Sequence, residues 1–195
     1  NSSLMKPAVR YAPNLLSFSR ILLGVAFFFL YRLMLPWSSL AAMAIVAMAG
    51  ATDVLDGILA RRNNRVSLIG KWLDPLSDFS FFFFVYFSFF RSGLMPTALF
   101  ALFLARESLM YALIRPLSLA RRLDPAAKLP GKIKTISQNI GSLMVLLLLF
   151  LSHLEILPAA YLPVACAVIL LIPICLSLAS LYWYITPLLA SGKPV

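Results

Sequence analysis

Residues 38–60 read SSLAAMAIVAMAGATDVLDGILA. A helix rises about 1.5 Å per residue, so roughly 20 apolar residues span a hydrocarbon core of about 30 Å. This run is long enough, yet it ends in two carboxylates, Asp53 and Asp56. Five more runs of similar length lie at about 15–35, 71–90, 96–117, 135–154 and 161–185, with Pro, Gly or charged breakers between them. In lipid an open strand leaves its backbone groups unbonded, so all six are expected to be helices. The predicted fold is all-α: a polytopic membrane protein with six transmembrane helices and a polar site between helices at the cytoplasmic side. No composition shift, repeat or linker divides the chain, which predicts a single domain over 1–195. Residues 1–4, ahead of Met5, read as a remnant, and no cleavable signal pattern follows them.

Composition agrees with that reading. The chain is 62% hydrophobic and 12% charged, against roughly 45–50% and about 25% in soluble domains, which excludes an ordinary soluble enzyme or a disordered chain. The net charge of +10 would raise the question of nucleic acid in a soluble protein, but basic residues gather in cytoplasmic loops of membrane proteins. Thirteen Lys and Arg fall on one side of the six runs, and only Arg32 and Arg91 on the other. Both termini are therefore expected in the cytoplasm, with no nucleic acid as partner. Cys166 and Cys175 are nine apart, about half a turn out of phase on a helix, and suit neither a disulfide nor a metal pair.

Four of the five aspartates, Asp53, Asp56, Asp74 and Asp78, fall within 26 residues. At about 100° per residue, Asp53, Asp56, Gly57, Ala60 and Arg61 share one arc of a helix, and Gly70, Asp74 and Asp78 line up at four-residue spacing on the next. Each buried carboxylate costs several kcal/mol, and like charges raise that cost, so the cluster needs a counter-charge beyond Arg61. Oxygen ligands without His or Cys favour a hard divalent cation, Mg²⁺ before Mn²⁺ or Ca²⁺, and four carboxylates suffice for two ions. Gly57, Ala60 and Gly70 leave room for a ligand against the helix backbones. Taken singly, Asp74 before Pro75 also fits a helix N-cap, and Gly57 and Ala60 fit helix packing contacts.

Read as one string, Asp53-x2-Asp56-Gly57-x2-Ala60-Arg61-x8-Gly70-x3-Asp74-x3-Asp78 resembles the signature of the CDP-alcohol phosphotransferases, with all eight positions and spacings matched. The resemblance implies transfer from a CDP-linked donor to an alcohol with release of CMP. It implies that Asp53, Asp56, Asp74 and Asp78 bind two metal ions and that Asp78 is also the general base. Asn14, Asp56, Gly57, Ala60, Arg61 and Gly70 would line the CDP site. Shorter strings, including Pro13-Asn14-Leu15-Leu16-Ser17 with Arg20, Ala105-Arg106-Glu107 and Gly131-Lys132-Ile133-Lys134-Thr135, are similar to bacterial phosphatidylglycerophosphate synthases, which use CDP-diacylglycerol and sn-glycerol 3-phosphate. Ser17, Phe79 and Ile114 depart from that subgroup's usual Thr, Lys and Arg. Inositol phosphate, inositol, serine or choline remain alternative acceptors.

A phosphorylated acceptor needs cations, for which Arg106, Lys132 and Lys134 are the candidates. Arg106, ten residues into the fourth run, needs an anion, either near Glu107 or on a substrate; the two lysines also fit ordinary loop charges. Arg20 is expected to snorkel toward the cytoplasmic surface. Eight of the fifteen Phe lie between 79 and 90, apolar all round, which suits lipid or the partner in a homodimer. Trp37, Trp72 and Trp183 fit an interfacial belt, and His153 a solvated loop. A divalent-ion transporter is the rival class, but the four acids lie toward one face and nothing acidic continues the path.

Overall fold

The structure, a computed structural model, describes residues 7–33, 35–63, 68–121 and 129–190, with side chains at 18–33, 35–52, 76–121 and 129–190. Every regular element among them is helical, as the apolar runs predict. The chain divides into two compact units, residues 1–88 and 89–195.

In the first unit, α1 (Pro7–Tyr31) packs on α2 (Pro36–Asn63), and α3 (Leu68–Arg91) follows. Pro7 and Pro36 each open a helix, where a missing N–H costs nothing. Between α1 and α2, Ser38 Oγ donates to the Leu35 carbonyl at 2.7 Å and accepts from the Leu35 N–H at 3.0 Å, closing the turn. Gly24 lets α1 approach α3: a Cβ there would sit 3.0 Å from Phe84 and 3.1 Å from the Phe81 backbone. Above it, Phe28 stacks on Phe87 with centroids 5.9 Å apart.

The aromatic stretch is thus not a surface offered to lipid on all sides. Phe81 and Phe82 are buried, and Phe87 lies on α1 through Phe28. One apolar helix cannot show from its sequence which of its faces meets a neighbour, and Gly24, sixty residues away, decides it here.

In the second unit, the end of α3 turns through Gly93 at φ +76°. The Leu94 N–H bonds the Phe89 carbonyl and the Gly93 N–H bonds that of Phe90. This is a Schellman cap, whose left-handed position favours glycine. Next come α4 (Thr97–Leu109), a π-helical turn at Met110–Ile114 and α5 (Arg115–Ala120), continuous with one another over Thr97–Ala120. Then α6 (Leu129–His153) and α7 (Leu162–Ala190) form an antiparallel hairpin joined through a 3-10 turn, Ala159–Tyr161, and α4 also packs on α7. Met110, Ile114, Tyr184 and Leu188 make a buried apolar cluster where the π turn meets α7.

Three helical stretches, Thr97–Ala120, Leu129–His153 and Ala159–Ala190, are long and apolar enough to cross a membrane; Phe18–Tyr31 and Pro36–Thr52 are shorter apolar stretches among the described residues. Val164, Val168 and Ile172 of α7 are exposed, as lipid-facing residues would be. Three boundaries differ from expectation, the first being the start of α1 at Pro7 rather than near 15. α6 starts at Leu129 rather than near 135, because Pro130 is tolerated in a first turn. α7 runs on through Pro187 to Ala190. His153 ends α6, half-buried, instead of lying in a solvated loop.

Candidate active site

The acidic motif lies wholly on two consecutive helices. Asp53, Asp56, Gly57, Ala60 and Arg61 belong to the last turns of α2, and Gly70, Asp74 and Asp78 to the first turns of α3. Asn14 belongs to α1. The side chains of Asn14 and of 53–75 lie outside the described residues, so of this group only Asp78 is seen in atomic detail. Among the described residues no three metal-type side chains gather. The donor set suits a hard divalent cation by its chemistry, since four carboxylates at three- and four-residue spacing on two helices provide only oxygen.

Asp78 is half-buried and its Oδ1 accepts from Arg20 Nη1 of α1. The Arg20 side chain is only 4% exposed, so it does not snorkel to the surface. It spends its charge inside the first unit, because a buried guanidinium is tolerable only beside an anion. Arg20, like His153, is a residue that sequence reasoning placed wrongly. The available signal was an arginine deep in an apolar run, but its partner lies 58 positions away.

The second unit holds the other charged cluster. Arg106 and Glu107 end α4, and both are buried. Glu107 Oε1 accepts from Arg106 Nη1 at 2.7 Å and from Lys134 Nζ of α6 at 2.6 Å. Arg106 Nη2 donates to Ser180 Oγ at 2.8 Å and Nε to the Ser177 carbonyl at 3.3 Å, both on α7. Ser180 Oγ in turn donates to that same carbonyl at 2.6 Å. Groups of three helices thus meet in one cluster, in which a single carboxylate holds two cations for a net charge of +1. Lys132 is exposed and stands apart from this group. Two residues from Lys134 on a helix, it points roughly opposite, since positions two apart do not share a face.

Nearby, Arg115 lies over the Tyr111 ring at 5.2 Å and Arg121 Nη1 donates to the Leu188 carbonyl at 2.5 Å. These basic groups are tied to the fold by their own contacts.

These features define a class: an all-helical chain with membrane-length apolar helices, an oxygen-only acidic motif on two of its helices, and a buried cationic cluster. A profile of the CDP-alcohol phosphatidyltransferase family matches residues 10–177, and the chain belongs to that family. A CDP-diacylglycerol–glycerol-3-phosphate 3-phosphatidyltransferase of Aquifex aeolicus is 32% identical over 136 residues, 68% of this chain and 74% of that one. Proteins of the same name from Pseudomonas fluorescens and Escherichia coli are 46% and 41% identical over 66 residues, 34% of this chain in both cases. The matches span 34% and 36% of those two relatives' lengths.

Proposed function

We propose that the chain transfers a phosphatidyl group from CDP-diacylglycerol to a hydroxyl of sn-glycerol 3-phosphate, giving phosphatidylglycerophosphate and CMP. Family membership and the relatives' names support the reaction type. The single observation favouring a phosphorylated acceptor is the buried Arg106–Glu107–Lys134 group. A neutral alcohol has no use for two cations brought together in a dry interior, whereas a phosphate monoester can pair with both.

In this reading Asp53, Asp56, Asp74 and Asp78 hold two Mg²⁺ or Mn²⁺ ions, which would neutralise the donor pyrophosphate and the departing CMP. Asp78 takes the proton from the acceptor hydroxyl, and Arg20 fixes the orientation of its carboxylate. Gly57, Ala60 and Gly70 leave space for the cytidine nucleotide, with Asn14 and Arg61 as polar contacts. Arg106 and Lys134 hold the acceptor phosphate, and Lys132 on the exposed face attracts it.

The test is CMP release by purified protein in micelles containing CDP-diacylglycerol. Release should depend on added glycerol 3-phosphate, and Lys134→Ala should lower kcat/KM for that acceptor by about ten- to a hundredfold while the donor KM stays near wild type, since charge-assisted bonds to phosphate are worth about 1.5–3 kcal/mol each. Preference for inositol, serine or choline would overturn the acceptor. Divalent-ion flux without CMP release would favour the transporter.

We also propose six membrane crossings in a bacterial inner membrane, with both termini and the site cytoplasmic. The thirteen-to-two division of basic residues supports this orientation. A cysteine at position 65, in a background lacking Cys166 and Cys175, should resist an impermeant thiol reagent on intact cells and react after lysis. Labelling of intact cells would reverse the topology. The half-buried rings of the aromatic stretch, such as Phe79 and Phe83, are the surface we propose for a homodimer.

A further inference from the structure

Among the described residues, the side chains of Gln138 and Ser177 in the second unit are buried without a hydrogen bond. Gln138 of α6 is fully buried, and neither Oε1 nor Nε2 of its amide is bonded. The hydroxyl of Ser177 on α7, 2% exposed, is unbonded too. An amide or hydroxyl in an apolar interior is strongly disfavoured without a partner, and native proteins contain few such groups.

Helix register sets the two at about the same level of the α6–α7 pair. Gly131 faces the Tyr184 hydroxyl and Gly141 faces Pro173 across the antiparallel α6–α7 pair. Counting equal steps inward from the first contact leads to 138 and 177, and from the second to 138 and 176. The two anchors therefore set Gln138 level with Ser177 to within one residue. The cationic cluster adjoins them: the Ser177 carbonyl accepts from Arg106 Nε, and Lys134, one turn before Gln138, reaches Glu107.

A phosphate has only acceptor oxygens at its dianionic stage and could use the amide nitrogen or the serine hydroxyl, but it leaves Oε1 unmet. A hydroxyl matches the whole set, because it donates to Oε1 while accepting from Nε2 or from Ser177. We infer that Gln138, assisted by Ser177, reads a non-reacting hydroxyl of the acceptor whose phosphate Arg106 and Lys134 hold, so that the site selects a phosphorylated polyol over a phosphorylated simple alcohol. This rests on the acceptor reading proposed above. In glycerol 3-phosphate the group read is the secondary hydroxyl at C2.

The test compares glycerol 3-phosphate with 3-hydroxypropyl phosphate, which keeps the phosphate and a primary hydroxyl and lacks only the one at C2. Wild-type protein should favour glycerol 3-phosphate by about ten- to a hundredfold in kcat/KM, the usual scale when a buried polar group loses its substrate partner. Gln138→Leu should abolish most of that preference by slowing glycerol 3-phosphate, with the analogue changed by less than about threefold. Ser177→Ala should shift the ratio the same way by less. A merely structural glutamine would slow both acceptors alike and leave the ratio unchanged, which overturns the inference. Should Gln138→Leu fail to fold, Gln138→Met and Ser177→Ala report the same ratio. A wild type that uses both phosphates equally overturns this inference and leaves the acceptor reading standing; one that works only with unphosphorylated alcohols overturns both.

Discussion

Asp53→Asn and Asp74→Asn should each cut CMP release by about a thousandfold while the protein still inserts and elutes as wild type. An amide in place of a carboxylate keeps the size and one acceptor oxygen but gives up the charge that holds a hard cation. A bound divalent ion contributes several kcal/mol of charge stabilisation to a phosphoryl transition state, and each 1.36 kcal/mol is tenfold in rate, so its loss amounts to about three powers of ten. EDTA should abolish wild-type activity, and Mg²⁺ or Mn²⁺ should restore it. Near wild-type turnover by either variant, or full activity in chelator, would overturn the two-ion reading. Helical placement makes the test sharp: Asp53 sits on α2 and Asp74 on α3, so the two substitutions probe the motif from separate helices.

Glu107→Ala should be the most destabilising single change in the second unit. It leaves Arg106 and Lys134, with side chains 4% and 12% exposed, facing one another without their anion. Removing one partner of a buried ion pair costs about 3–5 kcal/mol, because the remaining charge stays desolvated. Melting in detergent should fall on the order of 10 °C. The double variant Glu107→Ala with Arg106→Met should melt above the single one, since one of the two stranded charges leaves with the carboxylate. If Glu107→Ala melts within about 2 °C of wild type, the carboxylate does not hold the two cations together.

The acidic motif is the part of this protein most legible in its sequence, because its information lies in local spacing. Three- and four-residue intervals place side chains on one face of any helix, and the structure puts both halves of the motif on helices. The cationic group is only half legible. That Arg106 needs an anion follows from burial alone. That Glu107 serves it, while also accepting from Lys134, depends on how α6 meets α4. Lys132 and Lys134 look equivalent in the sequence, and they separate only once the helix is known to begin at Leu129 and to turn one of them inward. Arg20 and Asp78, 58 positions apart, have no local pattern linking them. Gln138 is an unremarked amide in an apolar helix until its register against α7 is known.

The π turn at Met110–Ile114 has a consequence for how this segment tolerates change. Arg106, Met110, Ile114 and Ser118 are all buried, yet residues four apart drift by about 40° per step on a regular α-helix, or about 120° over the series. The wider i→i+5 winding turns less per residue and takes back part of that drift. The span is therefore two phased segments joined by a vernier. One segment is set by Arg106 and Glu107 against α6 and α7, the other by Arg121 against the Leu188 carbonyl. Winding 110–114 as a regular α-helix with all five residues kept would rotate one segment against the other by roughly 90°, swinging either the guanidinium of Arg106 out of its cluster or that of Arg121 off its carbonyl, whereas removing one residue as well would cancel most of that rotation. In these five positions the number of residues carries more of the design than their identity.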